Sequence, residues 1–280
     1  MLRVIREMNL IPRMDEDMIR ESQQLMDDHP QFSHCVGYID GCMFYVNGCR
    51  GFKQDLYSGY KKRYCLNVQA IVNERGDAIF TSYRALGRAN DGMAMVIGGI
   101  HEELERWEDL VGFSYVLADG GYGLTRHVIP RIRQAAIRGD PRKIAFNREL
   151  SSKRSKIEHL FGWVKGRFPL LSRRIPTTLK TATLLIHAGF SLHNLILRTR
   201  RELGLRDEGP PPPPPPPEVD EDGREVDYGC HGHEHEGEDP DYFPPEVPDI
   251  DIVVMRDLGS GRLRRGHFVS LFPLDPAPVP

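Results

Sequence analysis

Residues 35–41 read CVGYIDG, and residues 113–123 read FSYVLADGGYG. Each is a short apolar run of the kind that forms a buried strand, and each ends in Asp followed by Gly. An acid at the carboxyl end of a buried strand sits on the rim of a sheet, where α/β proteins place their ligands. The glycines allow a metal ion or a phosphate backbone to come close. If the two strands are neighbours, Asp40 and Asp119 converge. Two unpaired carboxylates that close are costly unless a cation neutralises them, and hard divalent ions prefer oxygen donors.

Outward from these runs, the hydrophobic periods alternate. Residues 64–86, YCLNVQAIVNERGDAIFTSYRAL, read as two strands joined by a turn at Glu74–Asp77. Residues 91–107, DGMAMVIGGIHEELERW, read as one helix with Asp91 near its start. Residues 125–139, TRHVIPRIRQAAIRG, read as a helix that Pro130 starts or interrupts and Gly139 ends. KIAFN (143–147) reads as a short strand, and KRSKIEHLFGWVKGRF (153–168) as a helix. The order β, β, β, α, β, α, β, α predicts an α/β fold, a mixed sheet flanked by helices.

The net charge of −3 hides a strong asymmetry. Residues 151–201 carry eleven Lys and Arg against one acid, net +10, whereas residues 202–251 carry seventeen acids against two Arg, net −15. The first block suits a polyanion and the second a solvated tail. The tail opens with EGPPPPPPPPEVDEDG (208–223), which predicts an extended polyproline spacer, and residues 218–250 have too little apolar content to fold alone. The expected organisation is an N-terminal helical remnant at 1–35, a globular domain at 36–201, a disordered Pro-rich acidic linker at 202–250 and a C-terminal tail at 251–280.

Five cysteines (Cys35, Cys42, Cys49, Cys65 and Cys230) without a C-x-x-C pair, and an N-terminus (MLRVIREMNL) without a signal-peptide run, point to reduced thiols inside the cell. No apolar stretch reaches membrane-spanning length. Cys230, His231, His233 and His235 make a short tract that reads as disordered polar chain, with transition-metal binding as the alternative. Lys61, Lys62 and Arg63 read as a solvated loop, with a backbone contact to nucleic acid as the alternative. His187 and His193 read as hydrogen-bonded core or interface residues.

A third acid lies in the basic block. Arg154, Glu158 and Lys165 are four and seven residues apart and so share one face of a helix. Glu158 is the only acid there, as a metal ligand among phosphate-contacting cations would be. Taken singly, each strand-end Asp reads more readily as a turn or cap residue than as a ligand, and Arg154–Glu158 reads as an i,i+4 ion pair. Taken together, strand order, glycine context and helix face point to one cleft.

Residues 36–197 resemble the DDE superfamily endonuclease domain of PIF/Harbinger-type transposases and their host-derived relatives. The resemblance rests on VGYIDG (36–41), YSGYKKRYCLNVQAIV (57–72), LGRANDG (86–92), LADGGYG (117–123), RSKIEHLFGWVKGRF (154–168) and SLHNLIL (191–197). The Arg-x3-Glu-x6-Lys spacing is similar to that of bacterial insertion-sequence transposases, although Ser151 stands where that signature has Tyr. The resemblance implies a ribonuclease H-like fold, with Asp40, Asp119 and Glu158 as catalytic and metal-binding acids for Mg²⁺ or Mn²⁺. Asp91 is the rival second acid or a supporting group. Arg154, Lys165 and Arg167 become the nucleic-acid contacts. The implied activity is two-metal cleavage of DNA by a truncated or domesticated transposase. The alternatives are a catalytically silent DNA- or protein-binding module, and a nuclease of this fold acting on RNA or repair intermediates. About 35 residues precede the core where such transposases usually carry a helix-turn-helix region, which implies a separate DNA-binding protein for target recognition. The implied location is the nucleus, with the cytoplasm as the alternative.

The charge split itself predicts competition between tail and DNA. A chain ending at Arg201 is expected to bind duplex DNA more tightly than the full chain at low salt, measured by fluorescence anisotropy; equal binding excludes the idea.

Overall fold

The computed structural model of the protein describes residues 10–48 and 53–205. The Pro-rich spacer, the acidic block beyond Leu205, the Cys230/His231/His233/His235 tract, the C-terminal tail and Cys49 lie outside the described residues. Among the described residues six strands form one sheet: β1 (Cys35–Tyr45), β2 (Tyr57–Ser58), β3 (Arg63–Val72), β4 (Ala78–Leu86), β5 (Tyr115–Ala118) and β6 (Val128–Pro130). Seven α-helices of the described residues accompany them: α1 (Glu16–Gln24), α2 (Lys53–Leu56), α3 (Asp91–Ile97), α4 (Ile100–Val111), α5 (Gln134–Ile137), α6 (Pro141–Arg167) and α7 (Leu179–Glu202).

β3 pairs antiparallel with β1 on one side and β4 on the other, β5 lies parallel to β1, and β6 lies parallel to β5. The spatial order β4-β3-β1-β5-β6, with β2 joined to the start of β3, is a ribonuclease H-like mixed sheet. The expected α/β class and the neighbouring placement of β1 and β5 both hold. The β3–β4 turn forms because the Asn73 side-chain oxygen accepts from the N–H groups of Arg75 and Asp77, both at 3.0 Å.

Both faces of the sheet are covered, which is why β5 reads as a continuous apolar run and β3 as one broken only by Asn67 and Gln69. On one face Tyr38, Phe44, Val68, Ala70, Leu117 and Ile129 pack beneath α6 and α7, whose Phe146, Leu150, Ile157, Ile186 and Phe190 are fully buried. On the other, Val36, Ile39, Ile71 and Val116 pack against Ile19 of α1 and Leu104 and Trp107 of α4. Each Val, Leu, Ile or Phe among them contributes about 1.5–3 kcal/mol by leaving water. Met14 and Ile19 on one face, and Met26 and Phe32 on the other, thus join the N-terminal segment to the core around the sheet. No helix of the described residues is long and apolar enough to cross a membrane.

Three local expectations change. KIAFN is not a strand but part of α6. Asp140 caps that helix by accepting from Arg142 N at 3.0 Å, Pro141 fits its first turn, and Phe146, Leu150, Ile157 and Val164 bury a helical stripe. Residues 128–130 are not helical but form β6, where Pro130 is tolerated because β6 ends the sheet. Residues 91–107 form two helices, because Gly99 adopts a left-handed conformation (φ 69°) that breaks the ladder between α3 and α4.

Cys35 and Cys65 are buried and Cys42 half-buried, all as free thiols. His187 and His193 are hydrogen-bonded, the former to the Tyr83 hydroxyl at 3.2 Å and the latter to Arg167 and Gly76 O.

Asn194 on α7 ties three segments together. Its side chain accepts from Ala78 N (2.9 Å) and donates to Ala78 O (2.8 Å) and Leu10 O (3.1 Å). Asn194→Ala strands these buried groups and is expected to lower stability by about 3 kcal/mol in urea denaturation with an unchanged m value. A loss below about 0.5 kcal/mol, the size of an ordinary surface change, would contradict this role.

Candidate active site

The β1–β5 register builds the site. Tyr38 pairs with Leu117, so two residues further on Asp40 comes level with Asp119, just past the end of β5. One Asp40 oxygen accepts from Gly41 N at 2.8 Å and the other from the Arg154 guanidinium of α6 at 2.7 Å. Both side chains are mostly buried, 19% exposed for Asp40 and 12% for Arg154. Burial pushes the Asp40 carboxyl up to about 6; Arg154 and the Gly41 hydrogen bond oppose the rise, and the charges of Asp119 and Asp91 add to it. The three aspartates therefore lie within one electrostatic environment.

Asp91 reaches it from the opposite face. Its carboxylate accepts from Asn67 Nδ2 at 3.4 Å, and Asn67 also donates to Ala89 O at 3.0 Å. Gln69 Nε2 donates to Asn67 Oδ1 at 2.9 Å, and the Tyr122 hydroxyl donates to Gln69 Oε1 at 2.6 Å. Asn67 and Gln69 are fully buried and pair with Met43 and Gly41, neighbours of Asp40 whose side chains take the other face of β1. A Cβ at Gly41 would fall 2.4 Å from Gln69 Nε2 and 2.5 Å from Asp91 Oδ1. The glycine after Asp40 thus makes room for the protein's own polar network. Burial, then the charge of Asp119, raises the Asp91 pKa, while Asn67 and Gln69 hold it down by hydrogen bonding. Burial and the three aspartates keep the Tyr122 hydroxyl protonated as a donor. Asp91 and Asp119 flank Gly121, whose backbone N–H donates to Asp119 Oδ1 at 2.7 Å.

Helix α6 runs along the other side of the site. Arg154 meets Asp40, and three turns later Lys165 donates to Met43 O at 2.8 Å and stands 4.6 Å over the Phe44 ring. Glu158 lies on the stripe between them and is exposed. Arg167 points elsewhere, to His193 Nδ1 at 2.8 Å and over the Trp163 ring at 5.0 Å. Burial holds that histidine down to about 4. The fold thus brings Asp40, Asp91, Asp119 and Arg154 together, leaves Glu158 on the flank and sets Arg167 apart.

The sequence profile described as DDE superfamily endonuclease matches residues 39–194, more than half of the chain. The chain belongs to this family. Neither a curated protein nor a solved structure matches it. The part that makes it a DDE superfamily endonuclease starts one residue before Asp40 and ends at Asn194, so it contains Asp40, Asp91, Asp119, Arg154 and Glu158. Superfamily members generally use divalent metals, and the donors at this rim are all carboxylate oxygens, the chemistry such ions prefer. Among the described residues, however, no three His, Cys, Asp or Glu side chains stand close enough to hold a metal ion. Both Asp40 oxygens are engaged by Gly41 and Arg154.

Asn67, Gln69 and Tyr122 escaped the sequence reading. The available signal was two amides at alternate positions of an otherwise apolar strand, which places both on one face beside Gly41.

Since its folded pKa stands above the ordinary 3.8, Asp40 favours folding most below that pH and loses this contribution as pH rises through about 6. In the metal-free protein its carboxyl carbon is expected to titrate near 6 by NMR, and Arg154→Gln should move the midpoint higher. A midpoint that stays put or falls would remove Arg154 as the opposing charge.

Proposed function

We propose that this endonuclease cleaves DNA phosphodiester bonds, with Asp40, Asp119 and Glu158 as the acids that hold Mg²⁺ or Mn²⁺. The observation that carries this reading is the row of acids at the sheet rim, where Asp40 and Asp119 are level on adjacent parallel strands. Glu158 belongs to the set because its neighbours on the helical stripe, Arg154 and Lys165, both touch β1 near Asp40. The bound cations would activate the attacking water and stabilise the leaving oxygen.

The chain's own residues set up that chemistry. Burial makes ionised Asp40 costly, so the site favours a positive counter-charge, and Arg154 supplies one. The Asn67–Gln69–Tyr122 chain fixes Asp91 on the far face of β1, which suits a supporting role beside Asp119 better than the role of second acid. Lys165 stays on β1, held at Met43 O and over the Phe44 ring. The family resemblance supports a transposase-derived nuclear protein that acts on DNA.

A second reading, a silent DNA- or protein-binding module, is favoured by the Arg154–Asp40 pair, which already satisfies the acid that a metal would need. A nicking assay on supercoiled plasmid separates the two. The wild type is expected to nick in Mg²⁺ or Mn²⁺ but not in EDTA. Asp40→Ala, Asp119→Ala and Glu158→Ala should each reduce nicking at least about 100-fold, and Asp91→Ala less, as loss of a supporting group does. Nicking that survives both Asp40→Ala and Glu158→Ala excludes this assignment, and a wild type that never nicks favours the silent module.

A further inference from the structure

The cations that the helix pattern singles out are already engaged within the protein: Arg154 by Asp40, Lys165 by Met43 O and Arg167 by His193. A polyanionic strand lying across the acids needs other counter-charges, and the register of β6 supplies one. Leu117 pairs with Ile129 and Ala118 with Pro130, and the ladder continues through Arg131 N donating to Ala118 O at 3.1 Å. Arg131 is therefore level with Asp119, as Asp119 is level with Asp40. Neighbouring strands lie about 4.8 Å apart, so the three residues form a row across the rim. Arg131 follows Pro130 directly and so stands at the end of β6 as Asp119 stands at the end of β5.

Its placement is held from beneath. Ile132 is buried, and Asn147 of α6, 4% exposed, accepts from Ile132 N at 2.9 Å and donates to Ile132 O at 2.8 Å. The flanking residues Arg131 and Arg133 are both exposed. Neither side chain makes a hydrogen bond or ion pair among the described residues. The helix that presents Arg154 and Glu158 thus also pins the segment that holds these two guanidinium groups in water.

We propose that Arg131, with Arg133 beside it, binds backbone phosphate of the DNA strand on the β6 side of the scissile bond. This rests on the nuclease reading above. A guanidinium suits the task because its fork of donors matches two phosphate oxygens at once.

The test is the salt dependence of binding by the full chain to a short fluorescein-labelled DNA duplex, measured by anisotropy in EDTA so that the strands stay whole. Each phosphate contact adds about 0.9 to the slope of log K against log salt. Arg131→Gln is expected to reduce the slope by about 1, and the Arg131→Gln/Arg133→Gln pair by about 2. Arg131→Lys keeps the charge and should keep the wild-type slope, which a merely structural role for Arg131 would not predict. Arg20→Gln, on α1 against the other face of the sheet, should leave the slope unchanged. A wild type that binds with a slope Arg131→Gln does not alter overturns this inference and leaves the nuclease reading standing. A wild type that does not bind DNA at any salt overturns both.

Discussion

The Asp40–Arg154 pair joins the two parts of the fold that face each other across the site, the central strand β1 and the long helix α6. Both groups are mostly withdrawn from water, and a half-buried charge without its partner is expensive. The pair therefore fixes where α6 sits along β1. Once that is set, Glu158 and Lys165 follow at helical spacing, and Asn147, earlier on the same helix, reaches Ile132. Much of the candidate site is thus a consequence of one strand–helix alignment. Removing either member should disturb geometry as well as charge, so single substitutions here need a stability measurement beside any activity.

The two faces of β1 explain why the site draws in four acids with unequal standing. Asp40 shares its face with α6 and the cluster beneath it, while Gly41, one residue on, turns to the face where Asn67, Gln69 and Asp91 lie. Strand alternation alone separates the two environments. Asp119 stands past the end of β5, where the strand no longer dictates a side, and Gly121 sets its carboxylate against that of Asp91. An acid at a strand end can serve either face.

Most of this was legible in the chain itself. The apolar runs ending in Asp-Gly identify β1 and β5, the Glu74–Asp77 turn identifies the hairpin, and four- and seven-residue spacings place Glu158 on one stripe of α6 with Arg154 and Lys165. The errors have local causes. KIAFN has the look of a short strand, and only the Asp140–Pro141 start and the buried stripe continuing to Val164 make it helix. Val128–Pro130 was obscured by a proline that only an outermost strand accepts. The Asn67–Gln69–Tyr122 chain could not be assembled from sequence, since Tyr122 meets Gln69 from 53 residues away. The ion pair between Arg154 and Asp40 was equally hidden, because spacing along the helix suggested a phosphate contact for Arg154, or Glu158 as its partner.

The proline in β6 has a further effect at the outer margin of the sheet. Ile129 and Arg131 turn their backbone toward β5, so the N–H groups of alternate residues face outward, where an added strand would dock. Val128 N is occupied by the Thr125 hydroxyl at 3.1 Å, Pro130 has none to offer, and Ile132 N is held by Asn147 at 2.9 Å. This margin cannot act as a template for sheet extension. Copies of the protein that meet in solution are thereby steered away from fibril-like stacking along β6.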